Sequence, residues 1–167
     1  MICKRFFYTA IGKIVIEAND RAVIRLSFPK EIKSVEFSES DFAAENKTEH
    51  WILNQAAGEL LEYLAGKRRQ FDVPLSPKGT PFQEKVWAEL CKIPYGEVST
   101  YGELAECIGN PKAARAVGMA LNRNPIMIMI PCHRIIGKDG SLTGFGGGMA
   151  AKKYLLSLEK SDKFLKK

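Results

Sequence analysis

The chain has 167 residues, of which 46% are hydrophobic and 26% are charged. This length suits one domain or two small ones, and the composition excludes disordered and fibrous classes. No apolar run approaches the roughly 20 residues that a membrane helix needs, and the N-terminal residues lack the apolar core of a signal peptide. We therefore expect an intracellular protein with no membrane partner: cytoplasmic, or nuclear if the source is a eukaryote.

The formal net charge is +6, which favours anionic partners and nucleic acid above all, although charge alone is weak evidence. The four cysteines are widely separated and none stands in CxxC spacing, so an intracellular chain keeps them reduced. With only two histidines, no metal site is predicted. Cys91 and Cys107 lie among helical apolar residues and are interpreted as core fillers.

The N-terminal part is predicted to be strand-rich. Residues 5–19 and 22–28 are rich in β-branched and aromatic residues, and residues 19–21 predict a turn between them. Residues 29–47 show no clear period and are interpreted as a long loop or a weak helix or strand. An amphipathic helix is predicted within residues 48–67, on the apolar positions Trp51, Ile52, Leu60, Leu61 and Leu64 together with Gln55, and ending at Gly66.

Composition changes at residues 72–81, where Pro, Ser and Gly concentrate and predict a linker. A helix is predicted directly after it, with Thr80 as the N-cap and Pro81 at the first helical position. The chain therefore divides into residues 1–76, an N-terminal α/β domain, and residues 77–167, a C-terminal domain.

Two short helices are predicted in the C-terminal domain. Residue 99 or 100 can cap a helix that runs through Cys107, residues 109–110 make a tight turn, and Pro111 starts a second helix ending near Leu121. This arrangement is typical of a helix-turn-helix, although a plain helical hairpin fits the pattern at least as well.

The second of these helices carries mainly small residues. Its side chains between Ala113 and Ala120 offer only Arg115 for hydrogen bonding, whereas a helix that reads the major groove needs several polar side chains. Small residues permit close approach to a narrow groove, which favours minor-groove or shape recognition. Tight packing against another helix is the alternative.

The stretch around Cys132 has the composition of a nucleophilic site. Residues 126–130 form an apolar, strand-like run that Pro131 interrupts. In a straight strand Cys132 and His133 would point to opposite faces, so their cooperation needs a bend or a bridging water. A thiol becomes nucleophilic when a base removes its proton, and an imidazole in turn needs an orienting group, which Glu159 could supply.

Glycines occupy six of the twelve positions in residues 137–148. This content excludes a strand interior and favours a loop whose backbone approaches a ligand closely. The spacing does not match a phosphate-binding P-loop. A flexible hairpin tip is the alternative interpretation.

These motifs together resemble the O6-alkylguanine-DNA alkyltransferases. The resemblance covers residues 80–160 and is carried by TPFQEKVWAELCKIPYGEVSTYGELAECIGNPKAARAVGMALNRNP and by NPIMIMIPCHRIIGKDGSLTGFGGGMAAKKYLLSLE. It implies an α+β (mixed α/β) fold. The N-terminal domain is expected to be a ribonuclease-H-like sheet with helices, and the C-terminal domain a helical one with a winged helix-turn-helix-like motif.

The resemblance also implies a reaction. Cys132 is expected to take the alkyl group irreversibly and stoichiometrically from O6-alkylguanine, with O4-alkylthymine as an open further substrate, after the base flips out of double-stranded DNA. His133 deprotonates Cys132 through a water, and Glu159 orients His133. Asn124 ties the helix-turn-helix to the active-site strand, and Tyr101 donates to the leaving base. No cofactor is implied, and the protein is expected to act as a monomer, with clustering on DNA left open.

Further residues receive roles from the resemblance. Arg115 is expected to fill the gap that the flipped base leaves. The other DNA contacts are assigned to Tyr101, Ala114, Arg123 and Arg134, and the alkyl and base pocket to Leu121, Met127, Phe145, Gly146 and Gly147.

Some positions depart from the family pattern. Phe145 stands where many members have Tyr, Gly146 where some have Ser, and Met127 where a Pro occurs. The N-terminal zinc site of some members has only Cys3 and His50 available here. Two rival functions remain: a cysteine hydrolase, disfavoured by the adjacency of Cys132 and His133, and a DNA-binding module without the reactive Cys, disfavoured because Cys132 is present.

Overall fold

The described part of the chain divides into two units, Met1–Pro77 and Lys78–Lys167. A computed structural model of the protein describes residues 1–28 and 50–166, so the predicted loop or weak element at 29–47 lies outside the described residues. The first unit combines a sheet with a helix, and the second is mainly helical. None of the helices in the described ranges is long and apolar enough to cross a membrane.

The first unit contains a three-stranded antiparallel sheet. Its strands are β1 (Cys3–Thr9), β2 (Gly12–Ala18) and β3 (Val23–Ser27), in the order β1-β2-β3. The central strand β2 is buried over three successive residues, Ile14, Val15 and Ile16. Helix α1 (Trp51–Leu64) packs against the sheet, so the apolar core of this unit lies between them.

The predicted strand at residues 5–19 is in fact two strands joined by a hairpin at residues 10–11. The Thr9 hydroxyl donates to the carbonyl oxygen of Gly12 (2.8 Å) and accepts from the Ile11 amide (3.3 Å), and Gly12 has φ +113°. Apolar residues continue through this turn, which hid it from a pattern-based prediction. The turn predicted at residues 19–21 is present, and the Asn19 side chain accepts hydrogen bonds there from the backbone amides of Arg21 and Ala22.

Helix α1 begins after His50, whose side chain accepts a hydrogen bond from the Leu53 amide. The chain turns away from the helix at Gly66, which has φ +75°. Its end agrees with the prediction, but part of the predicted apolar face is wrong. Trp51 and Leu61 are 60% and 49% exposed. The buried face is set instead by the residues spaced three or four apart at Ile52, Leu53, Ala56, Leu60 and Tyr63.

Much of the predicted linker at residues 72–81 is anchored to the first unit. The buried carboxylate of Glu59 accepts from the amides of Asp72 (2.9 Å) and Val73 (3.1 Å). The backbone of Val23 then pairs with the segment around Leu75, donating to the Pro74 carbonyl and accepting from the Ser76 amide. Residues 72–76 therefore extend the sheet edge.

The second unit begins with helix α2 (Pro81–Leu90). A capping box of Thr80 and Gln83 fixes its start, as the predicted cap required. Its buried face includes Trp87, whose indole N–H donates to the Ala120 carbonyl at 2.9 Å. That hydrogen bond joins α2 to the helix that contains Ala120.

Helices α3 (Tyr101–Cys107) and α4 (Ala114–Asn122) pack against each other and against α2. Thr100 and Glu103 form the capping box of α3. The prediction that Pro111 starts the second helix is wrong, because residues 110–113 form a turn in which the Ala113 amide donates to the Asn110 carbonyl. The tight turn between the two predicted helices is therefore longer than expected.

The remaining elements are short. Strand β4 (Ser99–Thr100) pairs in parallel with β5 (Ile135–Ile136), and helix α5 (Met149–Leu158) follows the glycine-rich loop. The interpretation of Cys91 and Cys107 as core fillers is wrong, because both are exposed. Each lies at or just beyond the C-terminal end of its helix, where the chain turns outward.

Candidate active site

The apolar run at residues 126–130 is a turn, not the predicted strand. Ile128 has φ +71°, and the Ile130 amide donates back to the Ile126 carbonyl. The Asn124 side chain spans the turn, accepting from the Ile126 amide (3.0 Å) and donating to the Ile130 carbonyl (2.9 Å). Because every residue of the run is apolar and at least half-buried, periodicity could not distinguish a strand from a turn.

A short 3-10 turn at Cys132–Arg134 follows Pro131 directly. It places a bend at Cys132 and His133, one of the two arrangements, a bend or a bridging water, that their cooperation was expected to need. The Asn124 amide also donates to Cys132 Sγ at 3.2 Å, so one side chain fixes both the turn and the sulfur. Burial raises the pKa of the Cys132 thiol to about 11, although the Asn124 hydrogen bond and the Lys152 charge act in the opposite direction.

His133 and Glu159 form a fully buried pair, with Nε2 and Oε1 separated by 2.9 Å. Burial lowers the pKa of His133 and outweighs the opposing effect of Glu159, so its imidazole is neutral near pH 7. Burial alone would raise the pKa of Glu159, but the hydrogen bonds and charges of His133 and Arg134 outweigh it and bring the pKa to about 2. The carboxylate therefore stays ionised beside a neutral base.

Arg134 is buried, and its predicted contact with DNA is wrong. The guanidinium donates to both oxygens of Glu159 (2.9 and 2.8 Å) and to the Ile93 carbonyl (2.6 Å), and it lies over the Tyr95 ring. These donors are therefore used inside the protein, and the residue is only 7% exposed. Arg134 orients Glu159 and compensates its charge.

The loop at residues 93–96 holds the end of α5 where Glu159 lies. Tyr95 donates its hydroxyl to the Leu158 carbonyl at 3.1 Å. Gly96 has φ +84°, and a Cβ there would lie 3.1 Å from the Glu159 carbonyl oxygen. This loop therefore needs glycine at position 96 to approach the carboxylate-bearing turn.

Lys152 is a site residue that sequence reasoning missed. It is 1% exposed, and its ammonium donates to the carbonyls of Ile135 (2.6 Å) and Thr143 (3.2 Å) and to Thr143 Oγ1 (3.3 Å). Burial lowers its pKa to about 8, and the thiol of Cys132 opposes that shift. A lysine on an amphipathic helix ordinarily faces solvent, so no pattern in the sequence indicates that this cation is buried.

Several predicted residues meet in a narrow cleft beside Cys132. The cleft has a volume of only about 10 Å³. It is lined by Tyr101, Leu121, Asn122, Cys132, Gly144, Phe145 and Gly146. Met127 lies against Gly146, since a Cβ at Gly146 would meet the Met127 methyl at 2.6 Å. The Phe145 ring stands edge-on to the His133 ring at 6.5 Å between centroids.

A wider groove of about 410 Å³ adjoins this cleft. It is lined by Tyr101, Ala114, Arg115, Gly118, Asn122 and Gly144. Three of these residues, Tyr101, Asn122 and Gly144, line both spaces and form the boundary between them. Arg115 and Arg123 are exposed on and just after α4, and neither Arg123 nor Gly147 lines either space.

Within residues 1–28 and 50–166, no group of three or more His, Cys, Asp or Glu side chains could hold a metal ion. The reactive groups that the site does bring together are the Cys132 thiol, the His133–Glu159 pair, and the Tyr101 hydroxyl and Lys152 ammonium.

Two family models match the chain. Residues 2–77 match the ribonuclease-like domain of 6-O-methylguanine DNA methyltransferase, and residues 81–161 match the DNA binding domain of the same protein family. Together the two matches span both units of the described structure.

Individual proteins are similar over nearly the whole chain. A methylated-DNA–protein-cysteine methyltransferase of Methanosarcina barkeri is 48% identical and covers 91% of this chain and 93% of its own length. A constitutive one of Bacillus subtilis is 44% identical, with coverages of 91% and 92%. The crystal structure of Mycobacterium tuberculosis OGT in complex with DNA superposes with a TM-score of 0.80 at 41% identity, covering 95% of this chain and 93% of that one.

Proposed function

The chain belongs to the 6-O-methylguanine DNA methyltransferase family, and on this premise we propose that Cys132 takes the alkyl group from O6-alkylguanine in DNA. The observation that carries the proposal is the position of the Cys132 sulfur. It lies in a narrow cleft that shares Tyr101, Asn122 and Gly144 with the groove containing Arg115, and the next residue, His133, carries a buried imidazole hydrogen-bonded to Glu159. Such a sulfur suits attack on a flat, uncharged substrate that enters from that groove.

The reaction begins with removal of the thiol proton. His133 accepts this proton through a bridging water, and Glu159 stabilises the resulting imidazolium. The sulfur then attacks the alkyl carbon in line, so that the S–C bond forms while the C–O6 bond breaks. Tyr101 donates a hydrogen bond to the departing guanine, which takes up the negative charge as it leaves.

The product limits each molecule to one reaction. The new bond is a thioether, which has no electrophilic carbonyl for water to attack. The sulfur is therefore not regenerated, and no step draws on a cofactor. One chain acts on one lesion, so a monomer is sufficient for the chemistry.

Double-stranded DNA is the proposed partner because the target oxygen lies inside the duplex. The nucleotide must leave the base stack, at a cost of a few kcal/mol. The exposed side chain of Arg115 fills the resulting gap, and the small residue Ala114 lets α4 approach the minor groove closely. Arg123, exposed directly after α4, contacts a phosphate.

Mass spectrometry tests the proposed acceptor. After incubation with a duplex that contains O6-methylguanine, we expect one methyl group on the peptide containing Cys132 and an equal amount of guanine restored in the DNA. A Cys132→Ala variant should carry no methyl group. An unmodified Cys132 in the wild-type protein, together with a persisting lesion, would contradict the proposal.

Replacing Arg115 with Ala tests the proposed role of this side chain in base flipping. We expect the single-turnover rate on duplex DNA to fall about 10- to 100-fold, as loss of part of a flipping energy of a few kcal/mol implies. Reaction with free O6-benzylguanine should change little, because no base has to leave a duplex. The control Arg21→Ala removes the same charge from an exposed turn, and equal losses on both substrates would rule out the proposed role of Arg115.

A further inference from the structure

The cleft beside Cys132 is too small for the substrate that the proposed function requires. Its volume of about 10 Å³ is just enough to hold one water molecule. A purine base is many times larger. Access of a base to the sulfur therefore requires the walls of the cleft to separate, and the bonds that join these walls determine how readily they do so.

The walls come from two parts of the second unit. One wall is Tyr101 at the start of α3 together with Leu121 and Asn122 at the end of α4. The other wall is the loop segment 144–146, which lies against Cys132. Tyr101 and Gly144 also line the outer groove, so the boundary between groove and cleft runs between these two residues.

A hydroxyl–hydroxyl hydrogen bond joins the two walls at this boundary. Tyr101 Oη lies 2.6 Å from Thr143 Oγ1, and Thr143 directly precedes the loop segment that covers Cys132. On its other side Thr143 is held by Lys152, which donates to its carbonyl and its hydroxyl. Lys152 is in turn fixed to Ile135, next to the catalytic turn. The buried ammonium of Lys152 thus anchors Thr143 to the catalytic turn. The hydrogen bond between Thr143 and Tyr101 is the one that can break when the cleft opens.

We infer that Thr143 is a latch residue, whose hydroxyl holds the loop closed over Cys132 and gives up Tyr101 when a base enters. This inference rests on the proposed function, in which Tyr101 donates its single hydroxyl proton to the departing guanine. Either hydroxyl can be the donor in the bond between Tyr101 and Thr143. In the orientation in which Tyr101 donates, its proton must leave Thr143 to reach the guanine. When Tyr101 exchanges Thr143 for the base as its hydrogen-bond partner, the cleft opens and the Tyr101 hydroxyl is placed to donate to the guanine.

Labelling of Cys132 with iodoacetamide tests the latch without DNA. Peptide mapping by mass spectrometry separates Cys132 from the other three cysteines. Thr143→Val keeps the shape of the side chain but removes its hydroxyl, and we expect labelling of Cys132 to become roughly 2- to 10-fold faster, the effect of one lost neutral hydrogen bond. Thr143→Ser keeps the hydroxyl and should label like the wild type.

Tyr101→Phe removes the same bond from the other side and leaves the Lys152 contacts with Thr143 intact. It should accelerate labelling by a similar factor, and the double variant should be no faster than either single one, because both changes delete one interaction. If Thr143→Val lowers the melting temperature, the Tyr101→Phe variant still tests the hydrogen bond.

The outcomes separate this inference from the proposed function. The latch is overturned if Cys132 is labelled in both single variants at the wild-type rate or more slowly. It is also overturned if the two rate increases multiply in the double variant. With methylated duplex DNA, Thr143→Val should still transfer the methyl group, whereas Tyr101→Phe should lose much of the rate. A wild-type protein that accepts no methyl group from DNA would reject the proposed function and leave the labelling result unchanged.

Discussion

Replacing Glu159 with Gln is expected to lower the free energy of unfolding by about 3–5 kcal/mol and to slow alkyl transfer at least about tenfold. The substitution keeps the shape of the side chain but leaves Arg134, 7% exposed, without the carboxylate that its Nε and Nη2 atoms contact. It also removes the charge that stabilises a protonated His133 during the reaction. Chemical denaturation and single-turnover kinetics measure the two effects.

A matched control is available in the first unit. Glu62 also pairs with an arginine, Arg68, at 2.7 Å, but its side chain is 52% exposed. Glu62→Gln should cost no more than about 1 kcal/mol, because solvent screens an exposed pair. A similar small cost for Glu159→Gln would contradict the interpretation that the buried cluster depends on this carboxylate.

The pH dependence distinguishes a positioning role of Glu159 from a purely structural one. Glu159 opposes the effect of burial on the pKa of His133, so its loss should lower that pKa further. The fall of the alkyl-transfer rate in acid should then move to a lower pH in Glu159→Gln, while the plateau rate drops. A variant that was only less stable would keep the wild-type pH profile at temperatures where it stays folded.

Acid is expected to destabilise the wild-type protein through the protonation of two buried groups. The pKa of His133 lies below its ordinary value of 6.5 because of burial, and that of Glu159 falls from 4.5 to about 2 through its contacts with His133 and Arg134. In both cases the unfolded chain binds a proton at a pH where the folded chain does not. Each group therefore contributes its full stabilisation at a pH above its pKa in the unfolded chain. This contribution is lost as the pH falls towards its pKa in the folded protein.

The two groups predict where the loss occurs. The contribution of His133 starts to disappear below pH 6.5, and that of Glu159 disappears between 4.5 and about 2, amounting to on the order of 3 kcal/mol. Unfolding free energies measured between pH 7 and pH 3 should be lower at pH 5 than at pH 7, and lower again at pH 3. A constant or rising stability over that interval would contradict the assignment, and Glu159→Gln should show a shallower decline below pH 4.5.

The sequence was most informative where local chemistry determines the structure. Thr80 with Gln83, and Thr100 with Glu103, satisfy backbone amides within a few residues of themselves, so the starts of α2 and α3 could be predicted from the chain alone. The neighbourhood of Cys132, His133 and Glu159 followed from a family resemblance. Family membership also removes the cysteine-hydrolase alternative.

The sequence was least informative where distant residues determine the structure. The turn at 126–130 depends on the side chain of Asn124, which no periodicity in an all-apolar run reveals. Arg134 was assigned to DNA along with the other roles taken from the family resemblance, yet it is buried and bonded to Glu159, 25 positions along the chain. Lys152 and Thr143 were missed for the same reason.

The anchored segment at residues 72–76 determines where the two units can be separated by protein engineering. A cut at Asp72 would leave the carboxylate of Glu59 without its two amide donors and the backbone of Val23 without its partners at Pro74 and Ser76. A protease should therefore cut this segment slowly despite its content of Pro and Ser, because the backbone of Asp72, Val73 and Ser76 is hydrogen-bonded to the first unit. An isolated C-terminal fragment should begin within residues 77–79, where the sheet edge has ended and the cap at Thr80 is still intact.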